Sequence, residues 1–145
     1  MLIKETIPIE FAEIEPDNFH LFVQVKIGRK NSRLLLDTGA SKTVLDQTRV
    51  LQFTQSHHLR NHDVASVGLG SSSVETQITL LSSMRFGSIK IKPVEVAVLD
   101  LCHVNQTYEM HNMKPIDGVL GSDLLYQLKA VIDYGKRNLQ LKKEN

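Results

Sequence analysis

The chain has one cysteine, Cys102, in 145 residues, so an intrachain disulfide is excluded and with it a secreted disulfide scaffold. It has no excess of one charge: 17 Lys and Arg face 16 Asp and Glu, a formal net charge of +1, and this balance argues against a nucleic-acid partner. It lacks any apolar run of the ~18 residues that a spanning helix needs. The opening Met1-Leu2-Ile3-Lys4-Glu5-Thr6 contains no stretch of signal-peptide character. These absences give the expectation of a soluble, cytoplasmic protein with no membrane partner, Met1 reading as a natural start. The length fits a single domain over 1–145, because ~100–200 residues is usual for one. Cys102 itself reads as a half-buried structural thiol rather than a nucleophile.

What is present is strand-like. Leu21, Val23, Val25 and Ile27 alternate with His20, Gln24 and Lys26, with Phe22 the exception, and predict a half-buried strand over His20–Ile27. Gly28 to Ser32 then turns the chain into Leu34-Leu35-Leu36-Asp37-Thr38-Gly39-Ala40-Ser41, an apolar run that ends in a carboxylate on a tight turn. Such an arrangement delivers one oriented acid to the floor of a site. Gly39 permits the turn and the close approach of a backbone N–H to the carboxylate, and the Thr38 hydroxyl can donate and accept in a buried setting. Taken alone, an Asp beside a Gly is more often only a turn.

Beyond the acid, Val44, Leu45, Thr48 and Leu51 fall at helix-like spacing and predict a short helix within Lys42–Phe53, with Ser41 as its N-cap. Val64–Leu80 reads as a hairpin whose tip, Val67, Gly68, Leu69, Gly70 and Ser71, is glycine-bearing and whose exit alternates as Val74, Thr76, Ile78 and Leu80. A phosphate-cradling reading of that tip fails, because position 73 is Ser73 and a strand follows. Met84–Leu101 reads as two core strands, and Cys102–Pro115, rich in His, Asn and Gln, as a solvated loop. His57, His58 and His62 lack the Glu that the zinc-protease pattern needs, Leu59 standing in its place, so no metal is expected. A second motif, Ile116-Asp117-Gly118-Val119-Leu120-Gly121-Ser122-Asp123, precedes a short helix over Ser122–Leu128. The chain closes on a strand pair, Ala130–Tyr134 and Asn138–Leu141. Of the rival acids, Asp117 reads as a turn former, Asp123 as a first-turn helix residue and Asp133 as a strand end.

In this order, LLLDTGAS, the Gly68-Leu69-Gly70 loop and VLGSDLL resemble the retropepsin-like aspartic proteases, over roughly Phe19 to Leu141. The post-acid helix and the long 102–115 segment make the chain similar to stand-alone bacterial relatives of that family rather than to a domain cut from a viral polyprotein. The resemblance implies an all-β fold, a retropepsin-like closed or orthogonal β-barrel with one or two short helices and a flap hairpin. It implies Asp37 as the catalytic acid, Thr38, Gly39, Ala40 and Ser41 as its support, Val67–Ser71 as the flap, and Val119, Leu120 and Gly121 as the second-motif strand. Neither metal nor cofactor takes part. No second Asp-Thr-Gly or Asp-Ser-Gly occurs in the chain. The mechanism needs two carboxyl groups sharing one proton, so the other must come from a second copy, which implies a homodimer acting on a peptide or protein substrate. Two rivals stay open on the sequence: a catalytically silent peptide-binding or dimerisation module of the same fold, and a monomeric β-barrel for a small ligand.

Overall fold

The computed structural model describes residues 1–55, 59–61 and 76–144. Strands dominate: β1 (Leu2–Pro8), β2 (Glu10–Glu15), β3 (Asn18–Ile27), β4 (Lys30–Leu36), β5 (Val44–Asp46), β6 (Arg60–Asn61), β7 (Gln77–Leu81), β8 (Met84–Phe86), β9 (Ile89–Ile91), β10 (Val94–Leu99), β11 (Gly118–Leu120), β12 (Val131–Asp133) and β13 (Asn138–Glu144). Among the described residues two α-helices accompany them, α1 (Cys102–Met110) and α2 (Ser122–Gln127). Among the described residues no helix is long and apolar enough to cross a membrane.

The large sheet runs in the order β6-β7-β10-β5-β11-β4-β3-β8-β9, with β2 also paired to β3, and curls as a half-barrel. A second sheet, β1-β13-β12, packs against it. Leu21, Val23, Val25 and Ile27 of β3 point inward with Leu34 and Leu36 of β4 and meet Ile7, Leu139 and Leu141 from the second sheet. Phe22 breaks the alternation because the opposite face is also covered: it joins Tyr108, Ile116, Val44 and Leu99 in a second cluster. Gly28, at φ +61°, opens the tight turn from β3 to β4, a conformation that suits a residue without Cβ.

Three sequence expectations need correction. The helix within 42–53 is the strand β5 followed by a single 3₁₀ turn at Val50–Gln52. Val44, Leu45 and Asp46 are all buried, lying between β11 and β10. A strand covered on both faces loses the alternation by which strands are read. Ser41 therefore caps nothing, and Leu51, one of the four residues at helix-like spacing, is 58% exposed. The loop at 102–115 contains α1, in which Tyr108 is the one buried residue, so no apolar stripe marks it. Asn105 fixes it to the sheet, accepting the Ile116 N–H at 2.8 Å and donating to the Ile116 carbonyl at 3.1 Å. Met84–Leu101 holds three strands instead of two. The region before Asn18, which the motifs leave blank, supplies β1 and β2. The helix at 122 and the closing β12–β13 pair are as read.

Candidate active site

Leu34 and Leu36 anchor the end of β4 in the core, and the chain leaves the sheet at Asp37. The Asp37 N–H donates to the Leu120 carbonyl at 3.1 Å, so the second motif holds the backbone of the acid. Its carboxylate is oriented from its own turn. Gly39 N–H donates to Asp37 Oδ1 at 2.9 Å, and Ala40 N–H to the Asp37 carbonyl at 3.2 Å. A Cβ at position 39 would stand 3.3 Å from Oδ1 and would crowd the carboxylate that the Gly39 N–H orients.

The second motif clamps the far side of this turn. Ser122 N–H donates to the Ala40 carbonyl at 2.7 Å, and Gly121 N–H to Thr43 Oγ1 at 3.0 Å. Thr43, fully buried, donates a hydrogen bond from its hydroxyl to Asp123 Oδ1 at 2.7 Å, and the same oxygen accepts the Thr43 N–H at 3.0 Å. Gly121 is needed because a Cβ there would lie 2.7 Å from the Lys42 carbonyl carbon and 2.8 Å from the Ala40 carbonyl oxygen. Val119 and Leu120 pair in parallel with Leu35 and Leu36. Asp37, Ala40, Val119, Leu120 and Gly121 are thereby brought together. Thr38 and Ser41 are exposed on the single chain rather than buried, and their hydroxyls bond to nothing among the described residues. Val67, Gly68, Leu69, Gly70 and Ser71, the residues expected to form a flap, lie outside the described residues, as do His57, His58 and His62.

Three acids turn out to be braces. Asp117 does more than turn the chain: its carboxylate accepts the Arg33 N–H at 2.8 Å and Arg49 Nη1 at 3.1 Å. Asp123 supports Thr43, as above. Asp46, 1% exposed and passed over in the sequence, accepts the Leu101 N–H at 2.9 Å and the Thr48 hydroxyl. The Cys102 thiol is pushed up from its usual range by its hydrogen bond to Asp100, which suits an inert thiol.

Asp37 is half-buried in a cleft of about 330 Å³ that it shares with Phe19, His20, Thr38, Ile132 and Tyr134. A larger cleft of about 470 Å³ lies further back along β4, but its two carboxylates, Glu10 and Asp117, are each ion-paired. There Arg33 pairs with both oxygens of Glu10, at 2.6 and 3.1 Å, and lies 4.0 Å over the Phe22 ring. The Arg33 hydrogen bond holds the Glu10 carboxyl below its usual range. In the 330 Å³ cleft the Asp37 carboxylate accepts the Gly39 N–H and has no ion pair among the described residues.

One support behind that cleft, packed against its His20, was invisible in the sequence. Tyr108 of α1 stacks edge-on against Phe22 and His20, and its hydroxyl lies 2.8 Å from His20 Nδ1. Burial pushes the Tyr108 phenol up to about 12, a neighbouring Arg33 opposing and Asp37 adding to the shift. Free tyrosine ionises near ~10, so the folded state disfavours the phenolate. The associated stability is intact below pH ~10 and is lost as pH climbs toward the folded value. Absorbance at alkaline pH should therefore show one of the three tyrosines ionising last, near 12, with melting temperature falling over the same interval. Simultaneous ionisation of all three in the folded protein would contradict the buried placement.

A curled β-sheet that carries one Asp-Thr-Gly turn, clamped from beneath by a glycine-bearing strand, defines the single-lobed aspartic protease fold. The chain belongs to the aspartyl protease family, whose sequence profile matches residues 23–124. A search of curated protein sequences gives no match. Among solved structures, the chain is similar to a retropepsin-like aspartic protease from Rickettsia conorii, with 16% identity and a TM-score of 0.62 over 99% of this chain and 93% of that one. It is also similar to the retroviral protease-like domain of Ddi1 from Leishmania major, with 16% identity and a TM-score of 0.57 over 84% and 87% of the two chains. EIAV protease, solved with the inhibitor HBY-793, shares 22% identity and a TM-score of 0.50 over 72% and 84%. These likenesses establish a retropepsin fold.

Proposed function

We propose that the protein is an aspartic endopeptidase that acts as a homodimer, each copy contributing one Asp37. The observation that carries this reading is the Asp37 turn itself: a half-buried carboxylate, oriented by the Gly39 N–H, clamped by the 118–123 segment and facing an open cleft. One carboxylate is half of the required chemistry. With two copies facing each other, the ionised Asp37 takes a proton from a water between them as that water's oxygen attacks the peptide carbonyl carbon. The protonated Asp37 gives its proton to the carbonyl oxygen. Collapse of the tetrahedral intermediate then breaks the C–N bond, with a proton passing to the leaving amine. The general rule that like charges ~3 Å apart cannot both ionise, for which aspartic proteases are the standard illustration, keeps one proton on the pair. Thr38, exposed beside Asp37, bonds across to the second copy in this reading, and residues Val67–Ser71 are the segment assigned to cover an extended peptide.

Assembly tests this directly. Specific activity should rise with enzyme concentration until dimerisation saturates, and sedimentation on the same dilution series should show the active species as the dimer. The rate should fall on the alkaline side, where the shared proton is lost, and again in strong acid, where both carboxyls are protonated. Full activity in a species that sediments as a monomer would defeat the shared-dyad mechanism.

A further inference from the structure

At the opposite end of β3 from the acid, the turn into β4 and the β8–β9 hairpin enclose a cleft of about 450 Å³ whose charged lining is of one sign: Lys26, Arg29, Arg85 and Lys90, with the hydroxyls of Ser82 and Ser83. The strand register places Lys26 directly opposite Arg85, and Arg85 directly opposite Lys90. Three cations thus stand in a row across three adjacent strands, a row about 10 Å long at the usual ~4.8 Å strand spacing. Like charges directly opposite each other destabilise a sheet. Nothing among the described residues relieves them: none of the four has an ion pair there, whereas Arg33, Lys42, Arg49 and Arg60 all do. The net charge of +1 makes the cluster a segregation of charge rather than a by-product of basic composition.

We propose that this cleft docks an acidic stretch of polypeptide, its Asp or Glu carboxylates meeting the Lys26–Arg85–Lys90 row and Arg29. The cations and the serine hydroxyls supply hydrogen-bond donors that match carboxylates. The lining contains no aromatic ring on which a nucleic-acid base could stack, and no apolar side chain that could enter a lipid surface. The row is also short beside the extended basic track of a nucleic-acid binder. Lys26 pairs with Asn31, which at ~3.3 Å per residue lies roughly 20 Å along the strand from Asp37. The docking site is therefore separate from the acid, and the proposal is independent of whether Asp37 cleaves anything.

The test is fluorescence anisotropy with a labelled polyglutamate peptide, compared with a single-stranded oligothymidylate of equal charge and with phosphatidylserine vesicles. The peptide should bind, more weakly as salt is raised. Arg85→Glu, at the centre of the row, should weaken binding at least about tenfold, since an attraction becomes a repulsion. It should also raise the melting temperature by interleaving opposite charges, which separates lost docking from lost folding. Arg85→Gln should lower affinity less, and it carries the test if Arg85→Glu melts lower than wild type. Unchanged peptide affinity in these variants, or tighter binding of the oligonucleotide or the vesicles than of the peptide, overturns the proposal.

Discussion

Asp37→Asn is expected to lower cleavage of unfolded protein substrates by about 10²–10⁴-fold, the range lost when a positioned acid–base group is removed, while the melting temperature stays near that of wild type. The amide keeps the shape of the carboxylate and can still accept the Gly39 N–H that now reaches Oδ1 at 2.9 Å. What it loses is the ionised form and the shared proton. The sharper result comes from mixing. If each site uses two copies, adding an equal amount of Asp37→Asn chain to a freely exchanging wild-type sample should cut its activity to about half, because wild-type copies are drawn into inactive heterodimers. A self-sufficient subunit would be unaffected by the addition. Undiminished cleavage by the variant alone would remove Asp37 from the chemistry.

The largest effect on stability is expected from Gly118→Ala. Gly118 lies where β11 runs between β4 and β5, and an added Cβ would collide with the Val44 carbonyl oxygen and come within 2.9 Å of Leu45 Cδ2. The first obstacle is backbone in the middle of a sheet, so it cannot swing aside as a side-chain end would. A cost of about 3 kcal/mol is expected, which in a domain of this size lowers the melting temperature by roughly 10 °C. Gly28→Ala is the control: φ there is +61°, but a Cβ would meet nothing within 4 Å. It should cost only about 1 kcal/mol of backbone strain. Similar losses from both would mean that steric exclusion at Gly118 is not what holds β11 in place. Calorimetric or chemical unfolding of the two variants side by side decides this.

Local chemistry is what the sequence displays well, and long-range closure is what it hides. The Asp37 turn was readable because an apolar strand, an acid and a glycine are contiguous, and the 118–123 motif because it repeats that grammar. Thr43 and Asp46 were not readable. Their partners Asp123 and Leu101 are 80 and 55 positions away, and nothing adjacent marks either residue as buried. Helix α1 escaped because a helix held by one aromatic ring and by Asn105 has no apolar periodicity to show. Strand β1 escaped because Glu5 falls on the same side as the apolar Ile3 and Ile7. Its charge there is answered by Ser88, whose N–H donates at 2.8 Å and whose hydrogen bonds hold the carboxyl below its usual range.

The clamp beneath Asp37 also has a kinetic side. Thr43 and Asp123 meet although they stand 80 positions apart, and β1 finds β13 only by joining Leu2 to Glu144. Contacts so distant in sequence require large loops to close before any stabilisation is gained, and proteins dominated by them fold slowly, typically in milliseconds to seconds. On a ribosome that adds ~5–20 residues each second, the carboxylate turn emerges several seconds before the segment that must seat it. A nascent chain therefore carries the Asp37 turn unbraced until the 118–123 segment that seats it has also been made.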